Sequence, residues 1–131
     1  MRFLLDTNTI VALTRHQHPV VRDRIALHYG TIGLSTIVAH ELAYGAFVSD
    51  RPEHHLRTID DLPFERLDFT ENDARAAGDV RATLRKVGTA IGPYDTLIAG
   101  QALARSLTLV TNNTREFARV AGLRVEDWTA A

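Results

Sequence analysis

Cysteine is absent from the 131 residues of this chain, and so are long apolar runs. The first absence excludes disulfide scaffolds, thiolate metal sites and cysteine nucleophiles. The second excludes a membrane helix, which needs about 18 consecutive apolar residues. The first residues, MRFLLDTN, also lack the apolar core and the cleavage site of a secretory signal. We therefore expect a soluble, cytoplasmic protein whose chemistry depends on oxygen and nitrogen groups.

Lysine is scarce as well, since Lys86 is the one lysine among 15 basic residues, and the formal net charge is −1. Proteins that coat nucleic acid by bulk electrostatics are strongly basic, so the charge disfavours that class. Arginine makes planar, bidentate contacts with carboxylate or phosphate. A local phosphate-binding patch therefore stays open, and so does the plain alternative that the genome is rich in arginine codons.

Short apolar runs alternate with helical patterns along the chain. We predict strands at 3–5, 31–36, 64–69, 107–111 and 123–126, and helices over 7–15, 19–30, 37–48, 52–61, 70–87 and 93–105. Strands and helices that alternate at these spacings indicate βαβ units and a mainly parallel sheet. The prediction is a single α/β domain over residues 1–131, with a three-layer α/β/α architecture.

Three carboxylates come just after a predicted strand or in the first turns of a helix. Asp6 follows the first strand, Glu41 follows the strand at 31–36, and Asp95 lies in the first turn of a later helix. Asn113 follows the fourth strand in the same way. Ligands bind beyond the carboxyl ends of parallel strands, so we expect these side chains to meet at one edge of the sheet.

Clustered carboxylates raise one another's pKa, and a divalent cation usually neutralises them. Oxygen ligands without cysteine favour Mg²⁺ or Mn²⁺ over zinc, and such a cation activates water and stabilises charge on a phosphoryl group. The plain alternatives are that Asp6 caps a helix and that Asp95 is a favourable first-turn acid. Asp60, near a predicted helix end, is a weaker candidate for the site.

Glu41 is harder to explain as an ordinary surface acid. Ile37, Glu41, Tyr44 and Val48 recur at i, i+4, i+7 and i+11, which places Glu41 within an apolar stripe of its helix. An acid on such a stripe is seldom buried without a partner. We therefore interpret Glu41 as functional.

Four separated motifs resemble those of the PIN-domain ribonucleases, and within them the VapC toxins of bacterial toxin and antitoxin pairs. The motifs are FLLDTN at 3–8, HELAYG at 40–45, GPYDTLIAGQA at 92–102 and LVTNNTREFARVAGL at 109–123. Asp-Thr-Asn after a strand is weak evidence alone, but four motifs in matching order cover nearly the whole chain. The resemblance implies a PIN-like fold.

The resemblance also implies an endoribonuclease that depends on Mg²⁺ or Mn²⁺, with Asp6, Glu41 and Asp95 as the acids that hold the metal. The family often has a fourth acid where this sequence has Asn113, which leaves the number of metals open. The GPYD and TNN motifs are similar to those of toxins that cut initiator tRNA in its anticodon loop. Further contacts to metal-bound water or phosphate are implied for Thr7, Asn8 and Thr111.

Partners follow from the same resemblance, which implies a homodimer neutralised by a VapB-type antitoxin whose tail lies in a groove near the acids. Tyr44, Phe47 and Val48, with the neighbouring helix at 52–62, are candidates for the dimer or antitoxin surface. The alternative is that they are ordinary core. The arginines of the helix at 70–87, and those near Arg115, form either an RNA path or a solvated face.

Two other functions stay open. A haloacid-dehalogenase-like phosphatase also places an aspartate after its first strand. Position 8 is Asn where the phosphatase motif needs a second acid, and Lys86 lies late in a helix rather than after a strand. The other alternative is a non-catalytic PIN-like scaffold that binds RNA or protein, although a scaffold has no need of three clustered acids.

Overall fold

The computed structural model describes residues 1–15 and 18–129. One parallel sheet has the strand order β3-β2-β1-β4-β5. Every pairing in it is parallel, which confirms the predicted sheet. The strands are β1 (Phe3–Leu5), β2 (Ile32–Ser35), β3 (Glu65–Leu67), β4 (Thr108–Val110) and β5 (Val125–Glu126).

Helices connect these strands, and three of them begin with a proline. Pro19, Pro52 and Pro93 each occupy the first turn of a helix, where a missing N–H costs nothing. None of the helices in the two described ranges has the length and apolar character of a membrane span. The helices are α1 (Thr7–Thr14), α2 (Pro19–Leu27), α3 (Thr36–Val48), α4 (Pro52–Asp60), α5 (Glu71–Lys86), α6 (Pro93–Ala104) and α7 (Thr114–Phe117).

The layers follow from the strand order and from the right-handed rule for parallel crossovers. The chain moves from β1 to β2 to β3 in one direction, which puts α1 to α4 on one face of the sheet. It then returns across the sheet to β4 and continues to β5, which puts α5 to α7 on the other face. This arrangement confirms the three-layer α/β/α prediction.

The core lies on both faces of the central strands. Leu4 on β1, Leu34 on β2 and Leu109 on β4 are fully buried, and Leu4 is paired in register with Leu109. Burying one such side chain contributes about 1.5–3 kcal/mol. The central strand β1 therefore ends inside the molecule, and the residue that follows it is held firmly.

A buried polar network joins α5 and α6 to the end of β3. Asp73 is 1% exposed, accepts from the Arg105 guanidinium at 3.0 Å and completes a capping box with Thr70. Burial alone would raise the pKa of Asp73, but the hydrogen bonds from Arg105 and Thr70 hold it below its ordinary value. Gln101 on α6 also donates to Asp73, at 3.3 Å. This network fixes the helix that carries Asp95.

Candidate functional site

Asp6 lies directly after β1 and is 5% exposed. One carboxylate oxygen accepts from the Thr9 backbone N–H at 2.9 Å, which makes Asp6 the N-cap of α1. The other oxygen accepts from the Thr111 hydroxyl at 2.5 Å. The alternative that Asp6 caps a helix is therefore correct, and the same cap orients its carboxylate at the carboxyl edge of the sheet.

Glu41 lies on α3 and is half-buried beside the end of β1. Its Oε1 accepts from the Thr7 hydroxyl at 2.9 Å, so the residue after Asp6 holds the second acid. The apolar stripe predicted around Glu41 does not face the core. Tyr44 and Val48 are 65% and 66% exposed, because the buried positions of α3 are Val38 and Ala46 instead. Glu41 therefore faces a surface groove rather than the core.

Asp95 is the third residue of α6 and has a strongly shifted acidity. Burial, followed by the charges of Glu116, Glu41 and Asp6, raises the pKa of Asp95 to about 6. Within the two described ranges, no hydrogen bond to the Asp95 carboxylate offsets this effect. Glu116, Glu41 and Asp6 each lie close enough to Asp95 to raise its pKa, so the structure places Asp6 and Glu41 around Asp95.

Glu116 on the short helix α7 is the acid that sequence reasoning missed. Its Oε1 accepts from the backbone N–H of Gly92 at 3.1 Å, and its Oε2 accepts from the Asn113 amide at 2.5 Å. Asn113 is the N-cap of α7, and its own backbone N–H donates to the Thr111 hydroxyl at 3.0 Å. Asn113 thus contacts the fourth acid rather than replacing it. The sequence signal was the acid three residues after Asn113, one helical turn away.

A chain of hydrogen bonds runs through these residues from α3 to α6. It passes from Asp6 through Thr111 and Asn113 to Glu116 and then to Gly92, the N-cap of the helix that carries Asp95. At its other end Glu41 is tied to Thr7, the neighbour of Asp6. Each carboxylate except Asp95 is therefore oriented by at least one fixed donor, and donors of this kind keep a site in its productive geometry.

Two other candidates lie outside the cluster. Asn8 is exposed and makes no hydrogen bond to the four acids in the described part of the chain. Asp60 is exposed at the end of α4 and is not among the charges that raise the pKa of Asp95. Neither residue is brought to the acids by the fold.

The donor set can be tested against the divalent cation that the sequence suggested. Carboxylate oxygens are the ligands that Mg²⁺ and Mn²⁺ prefer. No three acidic or histidine side chains of residues 1–15 and 18–129 are arranged to hold one ion together. Mg²⁺ commonly keeps several waters and is bound by one or two carboxylates, so this open cluster fits a hydrated cation. A cation here would also relieve the repulsion that raises the pKa of Asp95.

A groove of about 270 Å³ leads away from Glu41 between α1, α3 and α4. Its floor includes Ile10 and Val11 of α1, and Leu42 and Ala46 of α3. A larger cavity of about 570 Å³ lies between α5 and α6, but none of the four acids lines it. The groove that reaches Glu41 is therefore the one that joins the acid cluster to an extended surface.

Comparison with known proteins gives a family match over most of the chain. A model of the PIN domain matches residues 3–123. The tRNA(fMet)-specific endonuclease VapC of Shigella flexneri is 43% identical over 132 residues, which cover 98% of this chain and 99% of that protein. Ribonuclease VapC2 of Haemophilus influenzae strain KW20 is 35% identical, with 98% of each chain covered.

Solved structures agree with these matches. VapBC from Salmonella typhimurium bound to DNA has a chain that superposes with a TM-score of 0.93 at 41% identity, covering 98% of each chain. VapBC2 from Rickettsia felis, bound to a fragment of its promoter, gives 0.91 at 34% identity, covering 98% of this chain and 99% of that one. These matches give no support to the phosphatase alternative.

Proposed function

We propose, on the premise that the chain belongs to the PIN domain family, that it is a metal-dependent endoribonuclease, the toxin of a toxin and antitoxin pair. The ribonuclease activity is supported by the full-length relatives that carry that name. The observation that carries the proposal is the group of four carboxylates at the carboxyl edge of the sheet, with the pKa of Asp95 raised to about 6. Carboxylates that repel one another in this way are typical of a site built for a cation.

The proposed metal site is formed by Asp6, Glu41 and Asp95, with Glu116 as the fourth acid; one or two of these carboxylates would bind the hydrated ion directly and the others would contact its water molecules. When bound, Mg²⁺ or Mn²⁺ would activate a water molecule and stabilise charge on the phosphoryl group. Thr111 and Thr7 keep the carboxylates of Asp6 and Glu41 in place through their hydroxyls. The buried position of Asp6 excludes water from one side of the site.

Asp95 and Asn113 have separate proposed roles. No fixed donor of the described residues contacts the Asp95 carboxylate, so it is available to a cation, and cation binding would displace the proton that Asp95 keeps up to about pH 6. Asn113 donates to Glu116 Oε2 and so orients the fourth acid. It supplies no charge, and its part in catalysis is to position Glu116.

The proposed substrate is tRNA, with the anticodon loop of initiator tRNA as the cut site. Two relatives, at 43% and 41% identity, are named tRNA(fMet)-specific endonucleases. Proteins that recognise an RNA sequence usually act on unpaired loops, whose bases can be splayed out. The open edge of the sheet gives such a loop room to approach the acids.

The proposed partners are a VapB-type antitoxin and a second copy of this chain. The matched structures are VapBC complexes. The groove between α1, α3 and α4 ends at Glu41, so a tail lying in it would cover an acid of the site. Tyr44, Phe47 and Val48 are 65%, 67% and 66% exposed on α3, and we propose this apolar patch as the contact with the second copy.

Cleavage of purified tRNA tests the proposal. With Mg²⁺ or Mn²⁺ the protein should cut initiator tRNA, and a chelator should stop it. Asp6→Asn and Asp95→Asn should each lower the rate by roughly a hundred-fold or more and remain folded by circular dichroism. Asp60→Asn is the matched control and should cut at the normal rate, because Asp60 lies outside the cluster.

Three results would contradict parts of this proposal. Cleavage by both Asn variants at the normal rate would remove the site assignment. Cuts spread evenly over total tRNA, or none in the initiator species, would remove the substrate. A phosphoaspartate trapped at Asp6 would support the phosphatase alternative instead.

A further inference from the structure

Two aromatic side chains stand at the rim of the acid cluster. His40 comes immediately before Glu41 on α3, and Tyr94 comes immediately before Asp95 on α6. Their ring centroids are 5.5 Å apart, with the ring planes inclined at 45°. The two helices that carry two of the acids therefore also bring two aromatic rings together beside them.

Neither ring is explained by the packing of the fold. Tyr94 is 45% exposed, His40 is exposed, and both lie outside the hydrophobic core cluster. Within the described residues, neither side chain makes a hydrogen bond to the rest of the chain. An aromatic pair kept at the surface without a core or capping role is available to a ligand.

The charge of the neighbouring acids limits what that ligand can be. Phosphate groups away from a bound cation are repelled by the negative charges of Asp95, Glu41 and Glu116, which lie close enough together for two of them to raise the pKa of the third, Asp95. Stacking on an aromatic ring needs no charge, and every nucleobase has a face that can stack. An RNA strand with one phosphodiester at the acids is therefore best held at this rim through a base.

We propose that His40 and Tyr94 form a stacking site for one unpaired nucleobase of the RNA, next to the phosphodiester that is cut. This inference rests on the proposed ribonuclease function and adds a substrate contact to it. Arg115 on α7 and Arg119 just after it are exposed, and Arg119 donates to the Ala90 carbonyl at 3.5 Å, just before the start of α6. The strand then has a base contact on the rim and basic groups beyond it.

Binding of a synthetic anticodon stem-loop tests the site. Fluorescence anisotropy is measured in the inactive Asp6→Asn background, with Mg²⁺ present, so that the RNA stays intact. Tyr94→Ala should raise Kd roughly ten-fold, within the range that one stacked base contributes, and Tyr94→Phe should bind normally because it keeps the ring. Tyr29→Ala is the matched control, because Tyr29 is 71% exposed but lies before β2, at the opposite end of the strands.

A second measurement identifies the base. Each loop nucleotide is replaced in turn by an abasic nucleotide, and Kd is measured for proteins with and without Tyr94→Ala. At the stacked position the abasic change should weaken binding about as much as Tyr94→Ala does. Both changes together should raise Kd no more than either change alone, because both remove the same contact.

The outcomes separate this inference from the function on which it rests. Normal binding and normal cleavage by Tyr94→Ala would overturn the base site and leave the ribonuclease in place. Equal losses in Tyr94→Ala and Tyr29→Ala, or abasic effects that add at every position, would also overturn it. If the Tyr94→Ala protein binds RNA normally but no longer binds the antitoxin, His40 and Tyr94 would instead be a contact for the antitoxin. Failure of every form to bind or cut RNA would remove the proposed function and this site with it.

Discussion

Asp95 is a half-buried carboxylate that faces three others at the start of α6. Its pKa is raised from 3.8 to about 6, first by burial and then by Glu116, Glu41 and Asp6. The folded chain therefore keeps a proton there that the unfolded chain releases between about pH 4 and 6. The resulting stability is present at low pH and is lost as the pH rises through 6.

Replacing Asp95 by asparagine should change how stability depends on pH. In a chelating buffer, the melting temperature of Asp95→Asn relative to wild type should rise by about 3 °C between pH 4 and pH 7.5. This shift corresponds to about 1 kcal/mol after allowance for solvent screening. Calorimetry across this range checks it. A constant difference between the two proteins would contradict the pKa shift, and Asp60→Asn, with an exposed acid outside the cluster, should show no such trend.

Divalent cations should offset the loss of stability that repulsion among the clustered carboxylates causes. Adding Mn²⁺ at about ten times its Kd should stabilise the wild-type protein by about 1.4 kcal/mol, since the ion binds only the folded chain. Glu116→Gln should reduce this gain, because it removes one charge from the cluster. Glu71→Gln, an exposed acid on α5, is the control and should keep the full gain. An equal gain in all three proteins would exclude Glu116 from the cation site.

For stability and for cleavage, the hydroxyl group of Thr111 should matter more than the shape of its side chain. Thr111→Val removes the donor to Asp6 and the acceptor for the Asn113 N–H, both in a fully buried position. We expect a loss of about 1–3 kcal/mol in stability and of about ten- to hundred-fold in cleavage rate, because Asp6 is no longer oriented.

Two variants act as controls for Thr111. Thr111→Ser keeps the hydroxyl and should retain most of the activity. Thr108→Val changes another buried threonine, at the start of β4, and should leave the rate unchanged. Inactivity of the Thr111→Ser protein would show that the methyl group, and not the hydrogen bond, is what matters.

The residues of the site were predictable to different degrees. Asp6 and Asp95 follow a strand or open a helix, and that position alone indicates an edge of the sheet. Glu116 was not predictable in this way, because α7 is only four residues long and too short to show a helical pattern. Its role depends on hydrogen bonds to Asn113 and Gly92, and the second of these is a contact between distant parts of the chain.

At the scale of elements, helix starts were predicted better than helix faces. Pro19, Pro52 and Pro93 begin helices as predicted, and α5 begins at the capping box of Thr70 and Asp73, within one residue of the predicted start. Strand β1 has the predicted bounds, and each of β2 to β5 is shorter than predicted. The prediction of which face of α3 is buried was wrong, because the spacing of apolar residues alone cannot tell a stripe that faces the core from one that faces solvent.

The crossing of α5 and α6 depends on a glycine. A Cβ at Gly100 would overlap the backbone of Ala77, so Gly100→Ala must push the two helices apart. We expect a loss of about 1–3 kcal/mol. Gly78→Ala is the matched control on α5, where a Cβ meets nothing within 4 Å. It should instead gain about 0.5–1 kcal/mol from helix propensity. Chemical denaturation measures both, and equal effects would contradict the close crossing.

At the scale of the whole molecule, the site and the groove are one continuous surface. Glu41 belongs to the acid cluster and also lines the groove between α1, α3 and α4. An antitoxin tail in that groove would therefore lie against Glu41, one acid of the cluster. If the antitoxin neutralises the nuclease by lying in this groove, a side chain that fills the groove should weaken antitoxin binding without slowing RNA cleavage.

Gly45→Leu should separate these two activities. Gly45 lines the groove, and a Cβ there meets nothing within 4 Å, so leucine fills the groove without disturbing α3. We expect antitoxin affinity to fall at least about ten-fold while cleavage by the free toxin stays near normal. Titration calorimetry and a cleavage assay measure the two effects. Gly78→Leu, on the opposite face, should change neither, and unchanged antitoxin binding in Gly45→Leu would place the tail elsewhere.

The hydrogen bond between Asp6 and Thr111 joins residues 105 positions apart in the chain. Strand β4, which pairs with β1, follows it in the chain only after two further strands and six helices. A growing chain therefore has Asp6 early, with the Thr9 N–H as a local donor, but it lacks the Thr111 hydroxyl until β4 has been made. Glu116 on α7 follows β4 in the chain, so we expect a growing chain to lack nuclease activity until both β4 and α7 have been made.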